Sequence, residues 1–314
     1  SNDEGQRASG LVPPRTIDRF FNDYHRHLMR QGVDGVKVDN QAVLEGLAED
    51  QGGRVELMRS YREALEGSVH NHFLGNLINC MSCSNDMYLQ ALNSNLTRSS
   101  TDFWPRRPES HGLHLYTNAQ TSLWLGEFVH PDWDMFQSSH PNGAMHAAAR
   151  AVGGCPIYVS DKPDGHDFAL LRKLVLSDGR VLRCRRPGRP TRDCLFADVV
   201  NQPVLLKIFN LNFVGGVVGV FNTNYHAAPA ERPELTGQVS PVDIEGLAGE
   251  QFAVYLHKSR LLAQLGATEG LALSVAEADY ELATIMPIAH GFAAIGLVEK
   301  FNSGGAILER RDLG

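Results

Sequence analysis

Four aspartates stand at comparable places in the first half of the chain. Asp39 closes "GVKVD", Asp102 follows "LTRSS", Asp134 lies in "PDWDMF" and Asp161 follows "PIYVS". Each comes at or just past a short apolar run that reads as a buried strand. In a (β/α) barrel every strand points its last side chains into one bowl, and active sites are built there. A single such aspartate is as often a helix cap or a turn residue, but four in succession favour chemistry. Two carboxylates facing one bowl suit glycoside hydrolysis, one as nucleophile and the other as acid and then base. Lys37 precedes Asp39 by two positions and so leaves the same strand face, where its ammonium favours the ionised carboxylate that a nucleophile needs. Asp102 sits beside Phe103 and Trp104, whose desolvation raises a carboxyl pKa and suits an acid, while Arg98 acts in the opposite sense. The balance between the two stays open at the level of sequence.

These residues need elements to hold them. Candidate strands fall at 33–38, 75–80, 96–99, 135–137 and 156–160, and candidate helices at 16–30, 54–69, 113–128, 143–152 and 166–174. Strand alternating with helix is the signature of an α/β fold. After Arg183 the texture changes to "LLKIFNLN", "GGVVGVFNTN", "FAVYLH", "LALSVAEADYELATIMPI" and "FAAIGL", broken by glycine, asparagine or proline, which reads as an antiparallel β-sandwich. The expected organisation is residues 1–182 as part of a (β/α)8 barrel and residues 183–314 as a β-sandwich domain.

With 314 residues, 43% of them hydrophobic, the chain is long enough for a large core. A formal net charge of −7, with no lysine or arginine run apart from the broken one at Arg183 to Arg192, gives no footprint for nucleic acid. No run approaches the roughly 18 apolar residues of a membrane span. Five cysteines at 80, 83, 155, 184 and 194 read as free thiols of a reducing compartment, hence an expected cytoplasmic location. Cys80 and Cys83 have metal spacing without a second pair, so no metal and no organic cofactor is expected. "VGGVVGVFN" is strand-like throughout and opens no helix, which excludes a dinucleotide fingerprint. Among the 13 histidines, His130, His140, His146 and His166 read as capping or core residues.

The stretches "GVDGVKVDNQ", "TRSSTDFWP", "LWLGEFVHPDWDMFQSSHP", "HAAARAVGGCPIYVSDKP", "LLRKLVLSDGRVLR", "PGRPTRDCLF" and "NSGGAI" resemble the raffinose synthase and seed imbibition protein group, the alkaline α-galactosidase branch of glycoside hydrolase family 36. The resemblance runs from about residue 15 to the end. It implies a retaining enzyme that cleaves or transfers an α-galactosyl group through a covalent intermediate, with a small carbohydrate as its partner. By motif position Asp39 is the nucleophile and Asp102 the acid/base. The group commonly carries two adjacent acids before the aromatic, but here the first position is Thr101. The same resemblance gives Lys37 and Arg98 to sugar hydroxyls and places Asp134 on the galactose. Trp133 either stacks on the sugar face or fills the rim, and Cys80 and Ser82 are possible lining. The first candidate strand corresponds to the fourth of the family's barrel. The chain is therefore expected to be the carboxyl-terminal part of a longer protein (about strands 4–8), aggregation-prone and of little activity alone. Hydrolysis of α-galactosides, such as raffinose-family oligosaccharides or galactinol, is the leading expectation. Transfer from galactinol to sucrose is the alternative, and a non-catalytic carbohydrate-binding protein is the reading from a different class.

Overall fold

The computed structural model describes residues 10–228 and 233–311. The chain divides into two compact units, 1–98 and 99–314, so the boundary expected at 182/183 falls inside the second.

In the first unit, helix α1 (Ile17–Arg30) is followed by strand β1 (Val36–Val38), helix α2 (Arg54–Phe73), strand β2 (Leu77–Asn79), the short helix α3 (Asn85–Leu89) and strand β3 (Leu96–Arg98). Phe21 and Leu28 on α1 meet Leu65, Val69 and Phe73 on α2, and Val36, Val38 and Leu77 join the cluster. The i, i+4, i+8 spacing of the three α2 residues makes one apolar stripe, which is why this segment is a helix over a sheet. Helix α2 stops where Leu74 and then Gly75 take left-handed backbone, φ 55° and 88°. β1, β2 and β3 run parallel in that order, with Lys37 opposite Ile78, Val38 opposite Asn79, and Asn79 opposite Thr97. One residue on, Asp39, Cys80 and Arg98 share a level across the carboxyl ends of the three strands.

The second unit contains helix α4 (Ser110–Leu125), strand β4 (His130–Asp132), helix α5 (Gly143–Gly153) and the single-turn helix α6 (Phe168–Leu171). A six-stranded antiparallel sheet follows. Its strands are β5 (Arg189–Pro190), β6 (Leu206–Leu211), β7 (Gly216–Phe221), β9 (Gln251–Leu256), β10 (Leu261–Gly266) and β12 (Tyr280–Pro287), in the order β10-β9-β12-β7-β6-β5. β8 (Leu235–Val239) and β11 (Leu271–Val275) form a separate antiparallel pair. One face of the large sheet packs on α5, where Ala147, Ala148, Ala151 and Val152 share a core with Leu206, Ile208, Val217 and Phe221. The other face shares a second core, Val218, Val220, Val254 and Ile285, with Leu235, Val239 and Val275 of the two-stranded sheet. Alternate residues of β7 thus serve opposite cores, as the period-2 pleat requires. Helix α4 also approaches backbone closely, since a Cβ at Gly112 would lie 2.0 Å from the carbonyl oxygen of Thr223.

The expected strands at 135–137 and 156–160 shrink to a single parallel bridge, Phe136 to Val159. The strand in that region forms earlier, at His130–Asp132, which a proline in "HPD" had disguised. The helix expected at 166–174 keeps only residues 168–171. Among the described residues no helix is long and apolar enough to cross a membrane.

Candidate active site

The first unit presents Asp39, Cys80 and Arg98 at one level, with Lys37 two residues before Asp39 on the same face. The Cys80 thiol is buried, which raises its pKa; Asp39, hydrogen-bonded to it, pushes the same way, while Arg98 and Lys37 pull it down. The thiol therefore stays protonated at neutral pH and donates to the Asp39 carboxylate. Arg98 Nη1 lies 3.5 Å from Cys80 Sγ, and the Asn40 amide donates to Asp39 Oδ1 at 2.9 Å. Asp39 is exposed, whereas Arg98 is buried. A carboxylate thus stands at the mouth of parallel strands beside a thiol on which one cation from its own strand, Lys37, and another from the third, Arg98, both act.

What holds these strand ends is a buried ion pair on α2 that sequence reasoning missed. Arg62, 1% exposed, pairs with Glu66 one turn on. Arg62 Nη1 donates to Gln41 Oε1 and to Asn79 Oδ1, both at 2.9 Å, and Nη2 donates to Ser94 Oγ at 2.8 Å. Gln41 Nε2 then donates to the Val38 carbonyl at 2.9 Å, the residue before Asp39. Glu66 accepts from the amides of Leu92 (3.0 Å) and Asn93 (2.8 Å) and from Ser94 Oγ (2.6 Å), in the loop that leads into β3. One salt bridge consequently ties the exit of β1, the last residue of β2 and the entry to β3.

In the second unit, Asp102 is exposed and Phe103 turns inward, 8% exposed. The Phe103 amide donates to Asp134 Oδ2 at 2.8 Å. Its ring sits among four imidazoles, with centroid distances of 5.5 Å to His111, 6.3 Å to His114, 6.3 Å to His140 and 4.9 Å to His146. His140 Nε2 donates to the Pro105 carbonyl at 2.9 Å and Nδ1 accepts from the Asn142 amide at 3.0 Å. The loop bearing Asp102 is therefore pinned at residues 103 and 105.

Behind it lies Arg150 of α5, 1% exposed. It donates to the carbonyls of Trp133 at 2.7 Å, Asp134 at 3.3 Å and Met135 at 3.3 Å, and to His146 Nδ1 at 2.9 Å. Because Arg150 can only donate, His146 carries its proton on Nε2 and passes it toward His111 Nδ1, 2.6 Å away. Burial, reinforced by the Arg150 charge and the neighbouring histidines, holds His146 well below the usual imidazole range. The same burial, with His140 and Arg150, brings His111 down to about 4. Both are neutral at pH 7, as this hydrogen-bond chain demands. The unfolded chain, whose histidines titrate near 6.5, takes up these protons first. Stability is accordingly full above pH 6.5 and falls as the pH drops toward 4. The His111 contribution is on the order of 1–2 kcal/mol once solvent screening is allowed for. Urea midpoints measured from pH 7 to pH 4 check this, and His111→Gln should flatten the slope.

Two expected substrate residues are placed inside the protein. Trp133 is fully buried, and a Cβ on Gly153 would lie 3.0 Å from its indole, so it fills the core rather than offering a sugar face. Asp134, 1% exposed with φ 65°, spends its carboxylate on the Phe103 amide. The strand-end acid is Asp132, whose Oδ2 accepts from the Tyr158 hydroxyl at 2.7 Å and whose Oδ1 accepts from the Asp134 amide at 3.1 Å. Asp161 binds Ser138 Oγ at 2.7 Å and acts as a loop tie. Ser82 is buried. The helical spacings His111 to His114 and His146 to Arg150 were the available signal for the histidine box. Among the described residues no group of three or more His, Cys, Asp or Glu side chains is placed to hold a metal ion.

A family model described as "Raffinose synthase or seed imbibition protein Sip1" matches residues 5–312. The chain is 46% identical over 326 residues to "Probable galactinol--sucrose galactosyltransferase 1" of Arabidopsis thaliana, covering 96% of this chain and 43% of that protein. It is 43% identical over 332 residues to the galactinol–sucrose galactosyltransferase of Oryza sativa subsp. japonica, covering 95% of this chain and 42% of the relative. The chain thus spans less than half the length of these relatives. Among solved structures, the α-galactosidase of Saccharomyces cerevisiae with raffinose superposes with a TM-score of 0.54 at 9% identity, over 84% of this chain and 74% of that one, a likeness of fold.

Proposed function

Since the chain belongs to the raffinose synthase and seed imbibition protein family, we propose that it carries the nucleophile and the acid/base of an enzyme that transfers an α-galactosyl group from galactinol to sucrose. The observation that carries this is the shared level of Asp39, Cys80 and Arg98 across three parallel strand ends, with the Asp39 carboxylate exposed there. In this reading β1, β2 and β3 are successive strands of a (β/α)8 barrel, and the antiparallel sheets belong to a β-sandwich that follows it.

Asp39 attacks the anomeric carbon of the donor while Asp102 gives its proton to the leaving oxygen. The galactosyl group then sits on Asp39 as an ester. An acceptor hydroxyl attacks the same carbon, its proton passes to Asp102, and the ester bond breaks. Two inversions give net retention. Lys37 and Arg98 hold sugar hydroxyls, Cys80 orients the Asp39 carboxylate by its S–H, and Asp134 and Trp133 support the Asp102 loop from behind.

Hydrolysis, the leading expectation from sequence, shares the first half of this scheme and differs only in the acceptor. The galactosyltransferase names of the relatives at 46% and 43% identity favour transfer. Incubating the full-length protein with galactinol, with and without sucrose, and separating the products tests the choice. A galactosylated sucrose that appears only when sucrose is present supports transfer; free galactose alone in both reactions identifies a hydrolase.

A further inference from the structure

Asp102, Phe103 and Trp104 alternate outward, inward, outward: Asp102 is exposed, Phe103 is 8% exposed and Trp104 is 45% exposed. Trp104 follows Asp102 by two positions, so their Cα atoms lie no more than about 7 Å apart, and both side chains reach the surface of the same short loop. A bare tryptophan on a loose loop would carry no meaning. This one is on backbone clamped on both sides, by Asp134 at the Phe103 amide and by His140 at the Pro105 carbonyl. The indole is itself steadied by Arg107, whose guanidinium lies 4.9 Å from the ring centroid and whose amide donates to the Trp104 carbonyl at 3.1 Å. The fold has thus spent one buried anchor, Asp134, and one half-buried anchor, His140, on holding an aromatic plate at the surface. Core packing cannot be the reason, because that role belongs to Phe103.

We infer that Trp104 and Arg107 form the platform for the acceptor sugar, a pyranose that lays its C–H face on the indole and offers a hydroxyl to Asp102. The inference rests on the galactosyl-transfer reading above. An acid/base carboxylate works on the oxygen joining donor and leaving group, and later on the acceptor hydroxyl. The side of the loop that it faces is consequently the side on which the acceptor sits. A planar aromatic beside the acid/base presents carbohydrate where water would otherwise reach Asp102, which biases the second half-reaction toward transfer. In that step the C–O bond to Asp39 breaks, the C–O bond to the acceptor forms, and the acceptor proton moves to Asp102. Arg107 adds guanidinium donors at the edge of the plate, suited to sugar hydroxyls.

The test uses the full-length protein with galactinol as donor and sucrose titrated as acceptor, measuring galactosylated sucrose and free galactose together. Trp104→Ala should raise the KM for sucrose about tenfold, equivalent to about 1.4 kcal/mol, and lower the ratio of transfer to hydrolysis by a similar factor. Trp104→Phe, which keeps an aromatic face, should stay within about threefold of the parent, and Arg107→Met should fall between the two. A Trp104→Ala protein whose sucrose KM and product ratio match the parent overturns the inference. So does a variant that loses kcat alone with its sucrose KM unchanged, because that pattern marks a loop support. A parent that cleaves no galactinol overturns the galactosyl reading and this inference with it, and is recognised before any variant is made.

Discussion

Asp39→Asn should abolish galactosyl turnover of the full-length protein, with kcat falling on the order of 10⁴-fold or more, while the fold is untouched. The amide is nearly isosteric and Asp39 is exposed, so the loss cannot be ascribed to packing. It follows from chemistry, because an amide oxygen makes a poor nucleophile and no covalent ester forms. A sharper form of the experiment removes the side chain altogether. In Asp39→Gly, added azide should restore turnover and give the inverted β-galactosyl azide, because one displacement replaces two. In Asp102→Gly, azide should capture the galactosyl ester from the other side and give the α product. Product stereochemistry read by NMR checks the assignment. An α azide from Asp39→Gly, or full activity in Asp39→Asn, would sink the role given to residue 39.

The second large effect is on stability. Arg62→Met should destabilise the protein by about 3–5 kcal/mol, the usual cost of stranding one member of a buried ion pair. Glu66, 3% exposed, would lose its cation and be left with the Leu92 and Asn93 amides and the Ser94 hydroxyl as donors. Gln41 and Asn79 would lose a donor at the same time. Denaturant unfolding followed by circular dichroism measures the loss, and the double variant Arg62→Met with Glu66→Gln should recover a good part of it. A loss under 1 kcal/mol would mean that the pair is not needed to hold the strand ends.

Much of the first unit was legible in the sequence because its apolar stripes are regular. Helices α1 and α2 begin within a residue of their expected starts, and β1, β2 and β3 lie inside the expected strands. The acids at 39 and 102 stood out as candidates because each comes at or a few residues past one of these strands. β4 was hidden because its three residues, His130, Pro131 and Asp132, include no aliphatic side chain. The shift from Asp134 to Asp132 as the strand-end acid follows from that one misplacement. Arg62 and Arg150 were hidden for a different reason. An arginine in a helix reads as a solvated face, and only a partner distant in sequence, Asn79 for one and the Trp133 carbonyl for the other, turns it inward. Trp133 was ambiguous because composition cannot say which side of a turn is core.

The contact of Gly112 with the Thr223 carbonyl bears on how the molecule can be taken apart. Helix α4 carries His111 and His114, and it rests directly on backbone just past the end of β7, with no space for even a methyl group. The β-rich segment is accordingly a mould for the helices, rather than an appendage that can be exchanged. Chimeras spliced near residue 182 would press a foreign surface against α4 and α5.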